Sequence, residues 1–161
     1  MATTAKVTWK DRLSFDATAS TGFSVPLGAR REVGGDEDGF GPMEMLAVGL
    51  AGCTAMDVIS ILRKKRQKIS DFEVEVIADR AEQHPKVFTE AGLKYLVSGH
   101  GVDESAVLRA IELSATRYCS ALAMFQDIIP ISLDYVIYED QQDGERKLVA
   151  KGSYSLPQKT L

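Results

Sequence analysis

Gly41-Pro42-Met43-Glu44-Met45-Leu46-Ala47-Val48-Gly49-Leu50-Ala51-Gly52-Cys53-Thr54-Ala55-Met56-Asp57-Val58 is the stretch on which the fold turns. Pro42 suits the first turn of a helix, where its missing N–H costs nothing, and Glu44 complements the positive end of the dipole. From Met45 to Leu62 nearly every residue is apolar or small. Arg63-Lys64-Lys65-Arg66 and Lys68 then place positive charge where the last carbonyls favour it. The spacing predicts one long helix. Met45 to Leu62 has the ~18 residues a membrane span needs, but Asp57 lies inside it and the segment is rich in Gly and Ala. A helix buried on all sides within a protein has the same composition, and that is the reading adopted. Gly49 and Gly52 lie three apart, and Ala47, Ala51 and Ala55 recur every fourth residue. Small residues so placed let a second helix approach closely, which predicts a homodimer with its long helices in a shared core.

Upstream the pattern alternates. Lys6-Val7-Thr8-Trp9, Leu13-Ser14-Phe15-Asp16-Ala17 and Phe23-Ser24-Val25-Pro26-Leu27 read as short antiparallel strands, with Ser20-Thr21-Gly22 as a turn and Pro26 at an edge. Residues 34–41 hold four glycines and three acids. They lack the alternating ligands and closing Glu of a calcium loop, so a solvated loop is expected. Downstream, Phe72–Ala78 and Leu93–Gly99 alternate as strands, and Asp103 is an N-cap for a second helix. Val107, Leu108, Ile111, Ala115, Tyr118 and Leu122 line one face of that helix. Ser132–Tyr138 and Leu148–Tyr154 complete the strands. The order predicts an α+β fold, antiparallel sheets around two central helices, in a single domain over residues 1–161.

The 161 residues are 45 % hydrophobic and 26 % charged, with a formal charge of −4, ordinary for a soluble globular chain. No basic excess points to nucleic acid, and the Arg63–Arg66 cluster has no interleaved aromatics. The opening Met1–Lys10 lacks the basic and apolar regions of a signal peptide, and two cysteines are too few for a disulfide scaffold. A cytoplasmic setting is expected. Two Cys and two His are the bare minimum for a four-ligand zinc site, and no metal and no cofactor is expected. Cys53 and Cys119 both fall mid-helix in this reading, with no CxxC spacing. His84 and His100 fall in loop-like segments, and nothing marks either as a general base.

The helix from Gly41 to Val58 resembles that of the osmotically inducible protein C and organic hydroperoxide resistance (OsmC/Ohr) family. The resemblance continues through Arg31-Glu32-Val33-Gly34-Gly35, His84-Pro85-Lys86-Val87-Phe88-Thr89, the Leu93–Gly99 strand and Ala115-Thr116-Arg117-Tyr118-Cys119-Ser120-Ala121-Leu122. It covers most of residues 6–138. It implies an intertwined homodimer and thiol-dependent reduction of organic hydroperoxides in stress defence. Cys53 matches the peroxidatic position and Cys119 the resolving one, with an external dithiol, for instance dihydrolipoamide, as reductant. The family also supplies an Arg beside the sulfur and a Glu that orients it. Arg12, Arg30, Arg31 and Arg117 are the candidates for the Arg, and Arg12 has the more suitable spacing. Met43 occupies the usual position of the Glu, with Glu44 one residue later, and Ser120 stands where the family has Pro. The competing expectation is a stress-associated binding protein that keeps the fold and both thiols without efficient turnover.

Overall fold

The computed structural model describes residues 2–157. Two compact units make up the chain, Met1–Leu46 and Ala47–Leu161. In the first, β1 (Ala5–Asp11), β2 (Ser14–Ala19) and β3 (Ser24–Leu27) form an antiparallel sheet in that order. Trp9 pairs with Phe15 and Ala17 with Val25. Pro26 sits on edge strand β3, as a residue without an N–H must. A short 3-10 turn, Arg31–Val33, ends at Gly34 in the left-handed region, φ 88°. Gly35 is fixed sterically, because a Cβ there would lie 1.9 Å from the Ala29 carbonyl oxygen.

In the second unit a four-stranded sheet runs β4 (Lys68–Arg80), β5 (Phe88–His100), β6 (Ile131–Asp140) and β7 (Arg146–Tyr154). β4 and β7 pair antiparallel with their neighbours, but β5 and β6 are parallel. The sheet is therefore mixed, where antiparallel sheets are expected from the sequence. Parallel neighbours need a long crossover, and the chain from Gly101 to Pro130, with the second helical region, is that crossover. His100 ends β5 rather than lying in a loop.

The long helix, α1, runs Pro42–Lys64. Its fully buried residues are Leu50, Thr54, Val58 and Leu62, one stripe at four-residue spacing. They join Leu93, Tyr95 and Val97 of β5 and Leu133, Tyr135 and Ile137 of β6 in the core. Each fully buried large side chain of this kind contributes roughly 1.5–3 kcal/mol. Burial on every face is not reached within one chain. Leu46 and Val48 stay exposed, and Met56 is 70 % exposed. By length and composition alone α1 could cross a membrane, with a mean hydropathy of 1.9 in its apolar window.

The second helix is not continuous. α2 (Glu104–Leu113) begins at Asp103, whose carboxylate accepts from the Ser105 N–H at 2.9 Å, the cap the sequence predicts. It gives way to a π turn, Ser114–Tyr118, and resumes as α3 (Ser120–Phe125). The Cys119 N–H bonds the Ser114 carbonyl at 2.9 Å, and Cys119 adopts extended backbone, φ −75° and ψ 103°. Cys119 is thus not mid-helix. It is the N-cap of α3, its Sγ accepting from the Leu122 N–H at 3.3 Å. The extra residue in the turn also moves Tyr118 off the buried face expected of it and leaves it half exposed.

Candidate functional site

The site grows from one face of α1. Cys53 and Asp57 are four residues apart, so their side chains stack one turn above the other. Thr54, between them in sequence, points into the core and is fully buried. The break between α2 and α3 brings Cys119 to the same place. The sulfurs of Cys53 and Cys119 and a carboxylate oxygen of Asp57 all lie within 4.8 Å of one another. Cys53 is partly exposed, whereas Cys119 is only 2 % exposed.

Beside the thiols runs a chain of buried hydroxyls. The Tyr95 hydroxyl of β5 lies 2.7 Å from Thr54 Oγ1, which lies 2.9 Å from Ser114 Oγ. Ser114 donates to Asp57 Oδ2 at 3.1 Å. Burial is the physical cause that dominates here. It pushes the Cys119 thiol up to about 12; the Leu122 N–H pulls back, and the hydrogen bond and charge of Cys53 push further up. Burial likewise pushes Tyr95 up to about 12, against the Thr54 hydrogen bond and with the charges of Cys119 and Asp57. At neutral pH both are proton donors. The three donor atoms are two thiols and a carboxylate, and no metal is assigned to them.

The other residues singled out from the sequence make local contacts. Arg12, in the β1–β2 turn, pairs with Asp36 at 2.6 Å and donates to the Gly34 carbonyl at 3.0 Å. Glu44 accepts from the Gly41 N–H at 2.8 Å and so caps the start of α1. Arg31 pairs with Glu37 at 3.3 Å, and Arg117 lies over the Tyr118 ring at 5.4 Å. His84 lies between β4 and β5, and His100 lies 3.9 Å from the Glu139 carboxylate. Sequence reasoning did not place Asp57, Thr54, Ser114 or Tyr95 in the site. Asp57 carried a signal, as the one charge inside an apolar run and one helical turn beyond Cys53. The three hydroxyls carried none, because only the tertiary fold brings them together.

Comparison with known proteins agrees with the geometry. The profile of the OsmC-like protein family matches residues 34–134. Protein YhfA of Escherichia coli K12 is 35 % identical over 133 residues, which cover 83 % of this chain and 96 % of YhfA. A hypothetical protein of Aquifex aeolicus VF5 superposes with a TM-score of 0.77 at 28 % identity, covering 88 % of this chain and 99 % of that one. An organic hydroperoxide resistance protein OsmC of Legionella pneumophila shares the fold, with a TM-score of 0.61 at 16 % identity over 85 % and 96 % of the two chains. A profile matching more than half of the chain, and a relative more than one third identical over most of its length, place this chain in the OsmC-like protein family.

Proposed function

We propose that the protein reduces organic hydroperoxides through its thiol pair, as a single OsmC-like domain acting in a cytoplasmic homodimer. The observation that carries this reading is the asymmetry of two adjacent sulfurs. Cys119 is buried and held protonated, while Cys53 beside it is partly exposed and free to meet a substrate. Cys53 as thiolate attacks the distal peroxide oxygen. The O–O bond breaks, the alkoxide leaves as alcohol after taking a proton, and Cys53 becomes a sulfenic acid. Cys119 then displaces water to form the disulfide, and an external dithiol such as dihydrolipoamide returns both thiols. An organic peroxide suits a site that a partner's apolar helix would close, since burial of its alkyl part is worth ~0.8 kcal/mol per methylene. The hydroperoxide resistance function of the Legionella protein points the same way, and the family profile, which reaches into both units, supports one domain.

Arg12 remains the proposed guanidinium for thiolate and peroxide; it pairs with Asp36, and Glu44 accepts from the Gly41 N–H. That engagement of Glu44 is also what favours the second reading, a thiol-bearing binding protein without efficient turnover. Mass spectrometry after addition of cumene hydroperoxide separates the two. Cys119→Ser is expected to trap a sulfenic acid that dimedone labels, and Cys53→Ser to remain unoxidised. Arg12→Lys is expected to slow the first oxidation at least tenfold. Native protein whose thiols stay unoxidised and which consumes peroxide no faster than Cys53→Ser leaves only the second reading.

A further inference from the structure

We propose that Asp57 is the proton acceptor of the resolving step, taking the proton of Cys119 as its sulfur attacks Cys53. The proposal rests on the peroxidase reading above for the identity of the oxidised species, but its geometry is independent of substrate. Asp57 has a carboxylate oxygen within 4.8 Å of both sulfurs. Asp57 is the one charged residue in a helical stretch whose other residues, from Met45 to Leu62, are apolar or small, and it is partly buried there.

The hydroxyl chain has one direction, and that direction is set by proton counting. Ser114 has one hydroxyl proton and gives it to Asp57 Oδ2. Thr54 must therefore donate to Ser114, and Tyr95 must donate to Thr54. Each proton in the chain points toward the carboxylate. Such an arrangement ends the chain on Asp57, a carboxylate that accepts rather than donates. Cys119, buried and without bulk water, needs an acceptor of this kind to become nucleophilic. The titratable groups around Asp57 are Cys53 on its own helix, Tyr95 on β5 and Cys119 at the cap of α3.

The step balances. The Cys119–Cys53 S–S bond forms as the S–O bond of the Cys53 sulfenic acid breaks. Cys119 sulfur is oxidised and the sulfenic sulfur is reduced. The thiol proton passes to Asp57 and from there to the departing hydroxide, which leaves as water.

The test needs no peroxide. Reduced protein, with chelator present, is treated with Ellman's reagent. Reaction at Cys53 releases one thionitrobenzoate, and attack by Cys119 on the mixed disulfide releases a second. In Asp57→Asn the ratio of second to first release rate is expected to fall at least tenfold. The second rate should also become proportional to hydroxide, and Asp57→Glu should restore part of it. A merely structural role for Asp57 would not move that pH profile. An Asp57→Asn ratio equal to that of the native protein overturns the proposal. Should that variant not fold, the native profile decides: a level second rate from pH 6 to 9 supports a local base, and a tenfold climb per unit contradicts it. Native protein that passes this test yet is not oxidised by hydroperoxide overturns the peroxidase reading alone.

Discussion

Thr54 is the residue on which the buried polar chain depends. It accepts from Tyr95 and donates to Ser114, and its shape is that of Val. Thr54→Val keeps the packing, takes the Tyr95 hydroxyl's partner away and leaves Ser114 only its bond to Asp57, and an unpaired buried polar group costs about 1–3 kcal/mol. Urea unfolding is expected to show a loss within that range, and no loss would mean the hydroxyls find other partners. The two raised groups give stability a pH dependence in the reduced protein. Cys119 rises from an ordinary 9.0 to about 12, and Tyr95 from 10.0 to about 12. Above pH 9 the unfolded chain releases these protons before the folded one does. The stability they contribute is therefore complete below that pH and is lost as pH rises toward 12. Denaturation midpoints at pH 8 and pH 10.5 check this, the reduced protein being expected to fall more steeply than Cys119→Ala.

At the scale of elements, the break between α2 and α3 decides whether the thiols meet. A π turn is in effect one residue inserted into an α-helix. Deleting Thr116, an exposed residue of that turn, removes the insertion, and one residue of helix turns a side chain by ~100°. The expected result is a folded protein with both thiols intact that no longer forms the Cys53–Cys119 disulfide after diamide treatment. The sequence showed where helical periodicity began, at Asp103, and showed apolar residues at the right spacing through Leu122. It could not show the π turn. Side-chain pattern reports which face is apolar, while the turn is set by where the Cys119 N–H and Sγ find partners. β1 to β3 were legible because alternation and turn residues coincided. The parallel pairing of β5 with β6 was not, since strand direction follows from the path of the crossover. Cys53 and Cys119 could be nominated by resemblance, and Asp57 by its isolation in an apolar helix, but only the folded chain places all three together.

For the whole molecule, α1 states the problem that assembly must solve. One stripe of it is buried in its own chain, and Leu46, Val48 and Met56 are left to solvent. A partner's helix against its small residues would cover them, and the proposed homodimer would bury more than the ~2,000 Å² of transient complexes. Sedimentation is expected to give a dimer at micromolar concentration, and Met56→Asp is expected to dissociate it. A surface Met in a true monomer would tolerate that change within ~0.5 kcal/mol. The central claim, that the paired thiols reduce hydroperoxides, is tested most directly by stopped-flow mixing of the reduced protein with one equivalent of cumene hydroperoxide, thiols being counted before and after. The account predicts fast loss of two thiols per chain, a mass lower by two hydrogens, and one equivalent of alcohol. Two thiols still titratable, with the hydroperoxide intact, would contradict it.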